Sequence, residues 1–319
     1  MANMIQDVIS LESGVYQIDT HYTRPGFAAC YFIWQEGEGA FIETGPAPSV
    51  GRLLTFLEQQ AIPVEAVRWV IVTHGHLDHA GGAGLLLQKL PNATLVAHPK
   101  AMKHLVDPSR LVASSREVYG DEVFDRLFSP VEAVDASRTL EAGNGTVVSL
   151  GQRALTMLET PGHALHHNCI WDETSRGVFT GDAFGLSYRE FDTAGGIFLF
   201  PSTTPTQFDP KASHITIDRI AALQPKWIYL THFGTIAFNR SLADDLHRQI
   251  DRICAVARGS MKAGAERRNR IVTGMEKAFF SRLSRIGTLL TQEEMHKLLA
   301  SDLELNAMGL ECWLDRPAR

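Results

Sequence analysis

The sequence is short of the features that mark a secreted, membrane-spanning or nucleic-acid-binding chain. Its four cysteines, Cys30, Cys169, Cys254 and Cys312, lie far apart with no CxxC pair, which argues against a disulfide framework and a cysteine-based zinc finger. Isolated thiols behave as small hydrophobes, and a reducing cytoplasm is the expected setting. No run approaches the roughly 18 apolar residues of a spanning helix. The N-terminal MANMIQDVISLESGV carries acids where a secretory leader has a basic stretch followed by an apolar one. Positive charge is also scarce: 30 Lys and Arg stand against 36 Asp and Glu, a net charge of -6, so no broad basic field awaits phosphates or anionic lipid. The expectation is a small-molecule substrate, with no nucleic acid and no membrane as partner.

The 319 residues, 45% hydrophobic and 21% charged, suffice for one large α/β core plus an appendage. Short apolar strands open the chain at 15–18, 28–34 and 40–42, with Gly37 and Gly39 between the last two. Leu53, Leu54 and Leu57 share a helical face over 50–60, and Pro63 follows. The run Val67 to Thr73 reads as a strand buried on both faces that delivers the chain to His74. Helices are expected at 82–90, near Met102 and over 118–127, with a short strand at 94–97. A second β-rich block covers 146–150, 154–158, 167–171, 177–180 and 227–230, interrupted by a helix at 215–223. Two β-rich halves with helices outside predict a four-layer αββα sandwich. Beyond a boundary near Phe238 the strand signal fades, and 242–257, 261–283 and 292–303 read as helices. The expected organisation is a domain over 1–238 and a helical region over 239–319, acting as a lid or as the contact of a homodimer.

The informative stretch is Thr73-His74-Gly75-His76-Leu77-Asp78-His79-Ala80-Gly81-Gly82, which crowds three imidazoles and a carboxylate into a glycine-rich loop after a buried strand. Imidazole nitrogen and carboxylate oxygen are ligands for zinc and other divalent first-row metals, and glycine lets the backbone turn tightly enough for side chains to converge. By composition alone, a chance HxHxDH in this chain is on the order of one in a thousand.

This loop resembles the first metal motif of the metallo-β-lactamase superfamily and, within it, of the glyoxalase II-like hydrolases. The remaining motifs of that family have counterparts in Thr160-Pro161-Gly162-His163, in Phe179 to Asp182 and in Leu230 to His232. The resemblance, which covers about residues 13 to 236, implies that His74, His76 and His163 hold one metal. It implies that Asp78, His79 and His232 hold a second and that Asp182 bridges the two, offsetting their repulsion. Two divalent ions per chain are implied, zinc first, with iron or manganese as alternatives. The sequence departs from the family at Glu43-Thr44-Gly45, where Asp-x-Gly is common. Glu43 is expected behind the ligands, orienting one of them or the metal loop, unless it is a plain surface glutamate.

His166 and His167 either line the pocket or support a ligand; alternatively one packs on the following strand and the other is solvated. His21, His98, His104, His214, His247 and His296 stand alone and read as structural or exposed. The aromatic-rich segment 183–208, with Tyr188, is expected either to wall the pocket or to pack under the C-terminal helices. Two adjacent cations would acidify a shared water, and the resemblance points to attack on a thioester, lactone or other ester carbonyl with Asp78 orienting the nucleophile. A diiron oxygen-binding or redox protein on the same ligands is the alternative, as is a regulatory protein that retains the metal site.

Overall fold

A computed structural model describes residues 7–316, and their internal contacts divide the chain into two compact units. The first comprises residues up to 159, 166–181 and 225–237; the second comprises 160–165, 182–224 and 238 onward. The second unit therefore draws the C-terminal helices together with two internal segments, and its limits do not follow a single boundary near Phe238.

Both sheets lie in the first unit. The seven-stranded sheet runs in chain order: β1 (Val8–Ser10), β2 (Val15–Asp19), β3 (Ala29–Gln35), β4 (Glu38–Ile42), β5 (Val67–Ile71), β6 (Thr94–Ala97) and β7 (Thr139–Glu141). Its β1–β4 part is an antiparallel meander and β4 to β7 pair in parallel. The six-stranded sheet contains β8 (Val147–Leu150), β9 (Arg153–Glu159), β10 (Asn168–Asp172), β11 (Gly177–Gly181), β12 (Trp227–Leu230) and β13 (Gly234–Ala237), all antiparallel except the β11–β12 pair.

Alternation of side chains along the strands sorts two apolar layers. Tyr31, Ile33, Ile42, Ile71 and Val96 of one sheet pack against Leu155, Met157, Ile170, Phe179 and Tyr229 of the other. The opposite face of the first sheet, through Phe32, Phe41, Val70 and Leu95, is covered by α1 (Val50–Gln59), α3 (Ala83–Lys89) and α4 (Pro99–Val106). Burying each large side chain in these layers contributes about 1.5–3 kcal/mol. The strand at Val70 and Ile71 is buried on both faces as its apolar run predicts, and its next residues carry the first histidines. The expected 118–127 helix is instead two: α5 (Ser109–Tyr119) and α6 (Asp121–Leu127) part at Gly120, whose φ of +77° cannot continue a helix.

In the second unit α7 (Pro210–Ala222) and α8 (Arg240–Gly259) start on Asp209 and Asn239, whose side chains accept from the backbone N–H of Ala212 and Leu242. A reciprocal Thr291–Glu294 capping box opens α10 (Gln292–Asp315), and α9 (Arg267–Arg285) precedes it. The aromatic segment packs beneath these helices: Phe198 and Phe200 meet Phe279 of α9 at ring-centroid distances of 5.7 and 5.5 Å. Among the described residues no helix is long and apolar enough to cross a membrane. Two mixed sheets flanked by helices, with helices added at the C-terminus, make up the predicted fold class.

Candidate metal centre

Strand β5 ends at Ile71, and the loop that follows passes through His74 and His76 into the single-turn helix α2 (Leu77–Ala80), which carries Asp78 and His79. Strand β12 ends at Leu230, two residues before His232. The five side chains meet in the first unit. His74 Nε2 lies 2.9 Å from His76 Nδ1, and the His74 and His79 rings are 4.1 Å apart. His232 Nε2 and His79 Nε2 stand 3.2 and 3.7 Å from the same Asp78 oxygen. Ligand atoms of Asp78, His79 and His232 all fall within 4.8 Å of one another.

The hydrogen-bond network fixes how each ring is turned. Glu43 Oε1 accepts from Thr73 Oγ1 at 2.5 Å, and that oxygen sits 3.0 Å from His74 Nδ1. A hydroxyl that gives its proton to Glu43 must accept from His74, so Nδ1 carries the hydrogen and Nε2 the lone pair. His79 Nδ1 likewise meets Glu43 Oε1 at 2.9 Å, and His232 Nδ1 meets the Phe27 carbonyl at 3.1 Å. A carboxylate or carbonyl accepts only from a protonated nitrogen, so His74, His79 and His232 are each anchored through Nδ1 and direct Nε2 into the cluster. Anchoring of this kind behind the ligands is what metal-binding histidines need. The donor set, four imidazoles and a carboxylate with three of the rings anchored through Nδ1, fits divalent first-row metal ions.

Glu43 is not a surface glutamate. It is 1% exposed, holds a φ of +67° at the end of β4, and accepts in addition from the Thr73 N–H at 3.1 Å and Thr231 Oγ1 at 3.3 Å. One carboxylate thus ties the residue before His74, the ring of His79 and the residue before His232. A non-glycine residue in the left-handed region costs on the order of 1–3 kcal/mol, a strain that recurs where surrounding bonds determine a site. Thr44 completes the clamp, its N–H and hydroxyl both donating to the His79 carbonyl at 2.8 and 3.0 Å.

His167 is buried and stacks on His74 with ring centroids 4.9 Å apart, while His166 Nδ1 accepts from the Gly75 N–H at 3.2 Å. Buried His167 thus packs against the histidine loop, and half-buried His166 braces its backbone at Gly75. Gly181 closes β11 with a φ of +48°, and a Cβ there would sit 2.4 Å from Thr73 Oγ1 and 2.7 Å from His167 Nε2. Only glycine fits at the position that hands the chain to Asp182.

His163 and Asp182 belong to the second unit, where His163 Nε2 is 3.6 Å from Asp182 Oδ2 and Ser202 Oγ donates to that same oxygen at 3.1 Å. Both residues line a small pocket with Ser202, Phe208, Thr216 and Leu246. Tyr188 takes the second of the two places open to its segment, fully buried under the C-terminal helices, its hydroxyl donating to both Asp302 oxygens at 3.0 and 2.9 Å. Of the isolated histidines, His98 caps α4 and His21 and His296 pair with Asp7 and Glu276.

The sequence profile of the metallo-β-lactamase superfamily matches residues 23–232, a span that contains every residue of the constellation. The chain belongs to this superfamily. A metallo-β-lactamase fold-containing protein of Sulfurisphaera tokodaii is 25% identical over 217 residues, 67% of this chain and 75% of its own. The solved structure of that archaeal protein has a TM-score of 0.63 at 22% identity and covers 93% of this chain and 98% of its own. A hydroxyacylglutathione hydrolase of Klebsiella pneumoniae is 28% identical over 153 residues, 47% of this chain and 46% of its own length. Among solved structures, the peroxy diiron form of a chemotaxis sensor shares the fold, with a TM-score of 0.53 at 15% identity, covering 75% of this chain and 93% of its own. Superfamily membership joins the histidine loop to a known class of metal centre, and the profile ends before α8, leaving the C-terminal helices outside it.

Proposed function

We propose that this chain is a metal-dependent hydrolase that uses two divalent ions, zinc in the first instance, to open a thioester, lactone or other ester of a small molecule. The observation that carries the reading is the anchoring of His74, His79 and His232 through Nδ1, which turns their Nε2 atoms toward the cluster around His76 and Asp78. In this scheme His74, His76 and His163 hold one ion and Asp78, His79 and His232 the other, with Asp182 between them. Chain connection supports adding the two residues of the second unit: Asp182 directly follows Gly181, and His163 lies four residues beyond the end of β9.

Bound there, divalent ions supply Lewis acidity and a water acidified toward neutrality. The protein's part is orientation. In this reading Asp78, whose side chain is 23% exposed, orients the attacking water. The small pocket that contains His163 and Asp182 combines Ser202 and Thr216 with apolar Phe208 and Leu246. The similarity to hydroxyacylglutathione hydrolase supports a thioester first, and a cytoplasmic setting belongs to the same proposal.

The test is elemental analysis of protein purified without added metal, with thioester, lactone and phosphodiester substrates assayed in parallel. Two zinc ions per chain and hydrolysis of an ester or thioester are expected, and Asp182→Ala should lose turnover and metal together. Iron with no hydrolysis would overturn the hydrolase reading in favour of oxygen or redox chemistry.

A further inference from the structure

Helices α7 and α8 each carry a His-x3-Asp pair, His214 with Asp218 and His247 with Asp251. Spacing of four puts both members of a pair on one face of its helix. The two pairs interlock: His214 Nε2 lies 3.2 Å from Asp251 Oδ1, and His247 Nε2 lies 3.2 Å from Asp218 Oδ1. The imidazole rings stack at 15° with centroids 4.8 Å apart, and their Nδ1 atoms are 2.5 Å from each other.

A nitrogen that faces a carboxylate at hydrogen-bond distance carries a hydrogen, so each Nε2 is protonated and each Nδ1 bears a lone pair. Two lone pairs directed at one another over 2.5 Å repel unless a cation stands between them. The arrangement also repeats, twice over, the carboxylate–histidine pairing that orients metal-bound imidazoles. We propose that His214 and His247, steadied by Asp251 and Asp218, form a site for one divalent transition-metal ion that clips α7 to α8. Nitrogen donors select a zinc-, nickel- or copper-like ion over calcium or magnesium. With metal–nitrogen bonds near 2.0 Å, tetrahedral coordination sets the nitrogens about 3.3 Å apart, a widening of under an ångström from the present contact. The histidine side chains are 29% and 21% exposed, so an ion and its completing waters can enter. Arg240, 3.5 Å from Asp218, is the cation already present at the rim.

The full chain is dialysed against zinc chloride and the bound metal counted for wild type, His214→Gln and His247→Gln. Wild type is expected to hold one more zinc than either variant. Asp218→Asn with Asp251→Asn should bind the same ion about 10- to 100-fold more weakly, as loss of an orienting partner does. The count is a difference, so failure of the histidine-loop centre lowers all the proteins equally and leaves it intact. Equal zinc in wild type and both histidine variants at millimolar free zinc overturns the proposal, as does zinc lost only on mutation of His74 or His79.

Discussion

Replacing Glu43 by glutamine keeps the volume of a buried side chain and changes what its second oxygen can do. Glu43 accepts four hydrogen bonds: three at Oε1, from Thr73 Oγ1, His79 Nδ1 and Thr231 Oγ1, and one at Oε2 from the Thr73 N–H. Glutamine serves Oε1's partners with its own oxygen, but its NH2 then faces the Thr73 N–H donor to donor. Leaving that buried N–H unsatisfied costs about 1–3 kcal/mol. The His79 bond weakens as well, because hydrogen bonds to a charged acceptor are about twice as strong as neutral ones. His79 and the Thr73–His74 step lose definition together, and removing an orienting partner of this kind lowers metal affinity about 10- to 100-fold. The assay is zinc competition against a chromophoric chelator, paired with urea unfolding of the metal-free protein. Glu43→Gln should bind zinc about 10- to 100-fold more weakly and unfold with a free energy lower by about 1–3 kcal/mol. Wild-type zinc affinity in a variant that folds normally would refute the role assigned to Glu43.

Three further outcomes follow from packing. Tyr188→Phe removes the donor to buried Asp302 and should cost about 1–3 kcal/mol in urea unfolding while leaving metal content unchanged; lost metal would place Tyr188 in the site after all. Gly309→Ala would set a Cβ 1.5 Å from the Thr203 carbonyl oxygen, an overlap at the upper end of the roughly 1–3 kcal/mol range for overpacking, visible as a lower melting temperature. Burial pushes the Cys254 thiol up to about 12, and since the thiolate is the nucleophile, iodoacetamide at mildly alkaline pH should label half-exposed Cys312 first. Equal labelling of Cys254 in the native protein, read by mass spectrometry, would contradict that order.

The metal loop is legible in the sequence because its signal is local: three histidines and an aspartate within six positions, framed by a buried strand and by glycines. The two-sheet architecture is legible for a similar reason, since apolar runs of strand length recur with turn residues between them. Strands β1 and β7, of three residues each, are too short to show an alternation. Glu43 draws attention as a departure from a motif, yet its partners include Thr231, 188 positions away, which no local pattern reveals. Tyr188 sits in an aromatic segment without periodicity, and the Asp302 that claims its hydroxyl is 114 residues downstream. His214 and His247 are unremarkable as single residues; their meaning arises only once α7 and α8 bring positions 33 apart into contact.

The Glu43 clamp also sets an order on the life of the chain. Its partners at Thr73 and His79 leave the ribosome early, whereas Thr231 and His232 emerge more than 150 residues later. A contact spanning such a separation is slow to form because its loop must close first. A nascent chain exposes His74, His76 and His79 long before Thr231 and His232 can join them, so the full set of anchors around Glu43 closes late, once two segments distant in the chain have come together.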